Sequence, residues 1–128
     1  MSGIGTIAAQ GLAFQATRLA VAASNIINAR TSAEATADGR VLGAIYQPRM
    51  VVGVSNQEGG LRAEIRPVNP GSHIVFDAAS STGFSAVPNV DIASEMVTMM
   101  IASTSYRAAA QLIALDASLS NTLTDLLA

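Results

Sequence analysis

The sequence predicts a mainly α protein in which N- and C-terminal helices pair as a coiled-coil-like hairpin, with a small β-rich insertion between them. Three observations predict it. The 37 residues from Ile92 to Ala128 contain neither glycine nor proline. Apolar residues recur at helical spacing at both ends of the chain. Between those ends, turn residues punctuate short β-branched runs. The chain accordingly divides into an N-terminal helix over 1–30, a linker and small β-rich insertion over 31–87, and a long C-terminal helix over 88–128.

The C-terminal helix is the best-patterned segment. Ile92, Met99, Tyr106, Ile113, Ser120 and Leu127 recur at steps of seven, and Met96, Ser103, Ala110, Ala117 and Thr124 follow four residues after the first five. Such spacing lays an a/d-type seam along one side of a helix. Leu112, Leu119 and Leu126, with Leu115 and Leu123 beside them, widen the apolar face toward the C-terminus. At about 1.5 Å per residue the helix is roughly 55 Å long, too long to bury its whole face in so small a domain. Pro88 holds the preceding residue extended. Asn89 or Asp91 can accept hydrogen bonds from the first free backbone N–H groups, and Asp91 and Glu95 place negative charge at the positive end of the helix dipole.

The N-terminal helix follows from Ile4, Ala8, Leu12, Leu19, Ala22 and Ile26, spaced at three to four residues or multiples of a turn. Its face is built mostly from small residues, which bury little area each and give a lone chain only modest stability. Asn25 and Asn28 sit near its end. Asparagine is a poor helix-interior residue, so the pair is expected to cap the helix or to hydrogen-bond across a helix interface.

In the middle, Ala44 to Val54 reads as a strand interrupted by Pro48, Asn56 to Gly60 as a hairpin turn, and Leu61 to Arg66 as a half-exposed strand. His73 to Asp77 makes a third short strand, and Ala78 to Ser85 a small-residue loop. This region is expected to hold little core of its own and to be marginal or mobile in the free chain.

Composition removes several function classes. Of the apolar half of the chain, 24 residues are alanine, with three Phe, two Tyr and no Trp. All seven basic residues are arginine and the net charge is −2, which gives no electrostatic footprint for nucleic acid or an anionic membrane surface. No apolar run reaches the length of a membrane span, so the protein is not expected to be membrane-embedded. Gln15 and Arg18 interrupt the N-terminal segment, and no basic region precedes it, unlike a cleaved signal peptide. Zero cysteines exclude disulfides and cysteine-based metal sites.

No catalytic constellation emerges. His73, the single histidine, stands beside Pro70-Gly71-Ser72 in a predicted turn with no nucleophile or orienting acid converging on it. Asp91 and Glu95 read as cap and dipole partner, without His or Cys at ligand spacing. Gly3-Ile4-Gly5-Thr6-Ile7-Ala8 fits GxGxxA but lacks the strand and βαβ context of a dinucleotide site. The expectation is a non-enzyme with no cofactor, no metal and no small-molecule substrate.

Gly11-Leu12, Gln15, Arg18-Leu19, Val21 to Ile26 and Asn28-Ala29 resemble the N-terminal motif of the bacterial flagellar rod and hook proteins. Pro88-Asn89-Val90-Asp91, Glu95-Met96-Val97, Met99, Ala102, Tyr106 and Ala108 resemble the matching C-terminal motif. The Pro-Asn-Val-Asp version, Gly83-Phe84, and Tyr46-Gln47-Pro48-Arg49 followed by Val51-Val52 are most similar to the proximal rod members of that family. Ile27 and Ala109 stand where the family usually carries Ala and Asn.

The resemblance implies a structural subunit of the basal-body rod, spanning the periplasm, whose terminal helices are axial and pack against other rod subunits and copies of itself. It also implies export in an unfolded state by the flagellar type III apparatus. The implied assembly interface takes Ile4, Leu12, Leu19, Asn25, Ile26 and Asn28 from the first helix. From the second it takes Asp91, Ile92, Met96, Met99, Tyr106, Ile113, Leu119 and Leu126. A small helical binding module, such as a flagellar export adaptor or chaperone, is the second reading.

Overall fold

The computed structural model describes residues 3–57 and 59–127. Met1, Ser2, Glu58 and Ala128, assigned from sequence to the terminal helices and the hairpin turn, lie outside the described residues. Two helices flank five strands: α1 (Gly3–Asn28), β1 (Ala33–Glu34), β2 (Arg49–Ser55), β3 (Leu61–Pro67), β4 (Ser72–Phe76), β5 (Phe84–Pro88) and α2 (Ile92–Leu127). The strands form two antiparallel sheets, one of order β1-β5-β4 and one made of β2 and β3. This overturns the expectation of a mainly α hairpin with a small insertion. The helices border a β region of two sheets.

The physical reason for the difference lies in β1 and β5. Both are short and made of Ala, Glu, Ser, Phe, Val and Pro, and their partnership joins Ala33 to Ala86 and Glu34 to Ser85, more than fifty positions apart. Local periodicity carries no record of so distant a pairing. The segment read as a small-residue loop thus ends in the central strand of a sheet. β4 pairs with β5 from Ser72↔Pro88 to Phe76↔Phe84, within a residue of the short strand read over His73 to Asp77, and His73 is exposed on it rather than in the turn beside Pro70-Gly71-Ser72. β2 begins only at Arg49, because Pro48 is fully buried ahead of it rather than lying within a strand.

β2 and β3 pair from Arg49↔Pro67 to Ser55↔Leu61 and lie along α1. The tip of this hairpin closes through Asn56, whose N–H donates to Gly60 O at 3.1 Å, and Gly59, whose N–H donates to Asn56 O at 3.1 Å. Gly60 has φ +89°, a backbone conformation that other residues adopt only with strain, and a Cβ there would also push aside the end of the Gln10 side chain.

The helices pack antiparallel, the C-terminal end of α1 beside the start of α2. At about 1.5 Å per residue, the 26 residues of α1 and the 36 of α2 differ in length by about 15 Å. Apart from Pro48, the buried apolar side chains of the core are Ala8, Val21 and Ala22 on α1, Ala102 on α2, and Ala35 and Ala86 by the three-stranded sheet, nearly all alanine. The core therefore gains its stability from close backbone approach more than from apolar area.

Candidate assembly interface

Where α1 ends, one side chain joins three elements. Asn25 is wholly buried. Its Nδ2 donates to Arg49 O at 2.7 Å and to Glu95 Oε1 at 2.6 Å. Its Oδ1 accepts from Tyr46 OH at 2.9 Å and from the Arg49 N–H at 3.1 Å. All four hydrogen-bonding positions of the amide are used, so α1 is locked to the start of β2 and to the first turn of α2. Ser24 Oγ lies 3.0 Å from the Tyr46 hydroxyl and completes the cluster. Asn28 instead turns back along its own helix, donating to Ser24 O at 2.8 Å.

The start of α2 is set by Asp91, whose Oδ1 accepts from the N–H groups of Ala93 at 3.0 Å and Ser94 at 3.3 Å. It is an N-cap, and exposed. Asn89 faces away from the helix and donates to Pro70 O. Glu95, read from sequence as a dipole partner, also receives the Asn25 amide across the helix pair.

The remaining predicted interface residues separate into two groups. Leu12, Leu19 and Ile26 share the face of Ala8 and Ala22 and are half-buried, as are Ile92, Met99 and Ile113. They line the seam inside the chain. Ile4, Met96, Tyr106, Leu119 and Leu126 are exposed, Leu126 by 77 %. On α2 the enclosed companion row is Glu95, Ala102, Ala109 and Asp116, three residues after the seven-step row instead of four. Ala102, the buried centre of that row, gives little signal in hydropathy, which favours the neighbouring Met96. Beyond Asp116 every residue from Ala117 to Leu127 is exposed.

A cleft of about 350 Å³ opens where α1, β2 and α2 converge, with Arg18, Arg49, Asp91 and Glu95 on its walls. Arg18 sits 5.9 Å from the Phe14 ring centroid and donates to Gln15 Oε1, and Arg49 donates to Ser24 Oγ at 3.4 Å. At the three-stranded sheet, the Ser85 hydroxyl, 2.7 Å away, and the Ala79 N–H hold the Asp77 carboxyl below its usual value. Glu64 is lowered by its hydrogen bond and charge pairing with Arg66, on the exposed face of β3. Among the described residues no cluster of three or more His, Cys, Asp or Glu is placed to hold a metal ion. Nor is any described helix long and apolar enough to cross a membrane.

The helix pair is thus tied at the junction and leaves the last turns of α2 exposed. No curated protein matches the chain. Residues 81–126, from the last turn before β5 to the end of α2, match the family described as flagellar basal body rod FlgEFG protein C-terminal. The likeness is of this C-terminal segment, which is less than half of the chain, to that family.

Proposed function

We propose that the chain is a structural subunit of the proximal flagellar rod, most similar to the proximal rod protein FlgC. In this reading it is exported by the flagellar type III apparatus and then packs with other rod subunits and copies of itself into the axial shaft across the periplasm. α1 and α2 act as the axial helices, and the β region between them faces outward. The observation that carries the reading is the length mismatch of the helices: α2 outruns α1 by about 15 Å, and Leu119, Leu123 and Leu126 stand bare on the overhang. Bare leucines on a helix end are unfavourable in water and gain their burial only when a neighbour arrives. A core of alanines fits the same reading, since a chain stabilised mainly by neighbours is easily kept unfolded for export.

Leu119→Asp with Leu126→Asp tests it. Both positions are exposed in the single chain, so its helix content by circular dichroism should not change. Complementing a strain that lacks the native copy, the double variant should give no swimming in soft agar while the native chain restores it. Swimming at the native rate would remove the overhang from the assembly surface.

A further inference from the structure

The hydrogen bonds at the two ends of β4 fix which of its backbone groups are used. The Asn89 N–H donates to Gly71 O and the Asp77 N–H to Gly83 O, both at 2.9 Å. With the register Ser72↔Pro88 to Phe76↔Phe84, this phase turns the backbone groups of His73 and Val75 toward β5. Pro88, which has no N–H to give, falls in a pair without hydrogen bonds. Ser72, Ile74 and Phe76 therefore turn their N–H and C=O groups to the outer edge of β4, where the strand order β1-β5-β4 ends. Among the described residues no strand pairs with that edge.

Sheet edges usually carry a charge, a proline or a bulge that discourages a further strand. β3 has such guards in Arg62, Glu64, Arg66 and Pro67. β1, at the other edge of the three-stranded sheet, is only two residues long. β4, with the sequence Ser-His-Ile-Val-Phe, contains no carboxylate, arginine or proline. At its end Phe76 is 77 % exposed, its ring edge-on to Phe84 with centroids 6.1 Å apart. An open ladder edge beside an uncovered ring is complementary to another extended, uncharged strand.

We infer that this edge takes β4 of a second copy, antiparallel, about a two-fold axis at Ile74. Among two-fold registers, this one pairs all three outward residues: Ile74 with Ile74, and Ser72 with Phe76 on either side of the axis. The side chains agree with it. Ser72, Ile74 and Phe76 share one face, so each large ring meets a small serine, and on the other face His73 meets Val75. No like charges oppose each other at neutral pH. Two three-stranded sheets thereby become one of six strands. The contact is isologous, closes after two chains and uses neither helix, so it stands apart from axial packing. Five residues facing five bury less than the ~800 Å² that each partner brings to a stable complex. The pair is accordingly weak and forms where chains are concentrated.

The chain has no cysteine, so introduced thiols read the register. Across the axis the two Ile74 Cα atoms lie about 5.5 Å apart, within the span of a disulfide, whereas two Ser72 or two Phe76 lie about 14 Å apart. Full-length Ile74→Cys, Ser72→Cys and Phe76→Cys chains of native helix content are oxidised mildly at equal, high concentration. Ile74→Cys alone should form disulfide dimers roughly ten times faster than Ser72→Cys or Phe76→Cys alone, and mixing the latter two should restore the fast rate. In the cysteine-free chain, the amides of Ser72, Ile74 and Phe76 should exchange more slowly as concentration rises, and Ile74→Lys should remove that dependence. Equal linking by the three single variants, or exchange at these amides that ignores concentration, would overturn the pairing. The rod reading is decided separately, by the presence of the chain in basal bodies.

Discussion

Asn25 shows how much of this chain's specificity rests on single polar groups. A buried amide with four partners is stabilising only while all four persist. Asn25→Leu takes the amide partner from the Arg49 backbone, the Glu95 carboxylate and the Tyr46 hydroxyl, which keeps only Ser24, and should cost about 2–3 kcal/mol, read as a shift in the denaturation midpoint at unchanged slope. Asn25→Asp should be worse at neutral pH than at pH 4, because it sets a carboxylate against Glu95. Asp77 makes the opposite kind of prediction. Its folded pKa lies below the ordinary 3.8, so its contribution is complete above that value and is lost as pH falls through the folded one. Ser85→Ala should bring the Asp77 titration, followed by carboxyl NMR, back up toward 3.8. The sequence marks Asn25 as out of place in a helix, but its partners at positions 46, 49 and 95 are joined to it only by the fold.

At the scale of elements, legibility follows the range of the interactions. α2 is legible because its signals are local: a proline, an Asp cap and a long run without breakers. The β2–β3 hairpin is legible for the same reason, through Gly59 and Gly60 and the alternation of Leu61 to Arg66. Gly60→Ala should loosen that hairpin from α1 by about 1–3 kcal/mol, seen as faster amide exchange in β3 than in α2. β1 and β5 are not legible, since neither has enough length or β-branching to stand out before the other is in place. The seam of α2 is legible in its seven-step row but not in its companion. Alanines at 102 and 109 pack against α1, and the methionine at 96 stays outside. Ending the chain after Asp116 should therefore leave the folded monomer's stability within about 0.5 kcal/mol of the full chain, because every residue described in the deleted turns is exposed.

For the molecule as a whole, a tied end and a bare end divide the work. The junction of α1, β2 and α2 fixes the internal geometry, and the apolar residues left over on α2 stand exposed. The match over residues 81–126 agrees with that division, covering the strand that enters the junction and the helix that leaves it. The most direct test of the central claim is mass spectrometry of detergent-extracted hook–basal bodies from the source cells. A rod subunit predicts peptides of this chain enriched with the other rod proteins relative to whole-cell lysate. Recovery of the chain from the cytoplasm alone, with none in the basal bodies, would contradict it.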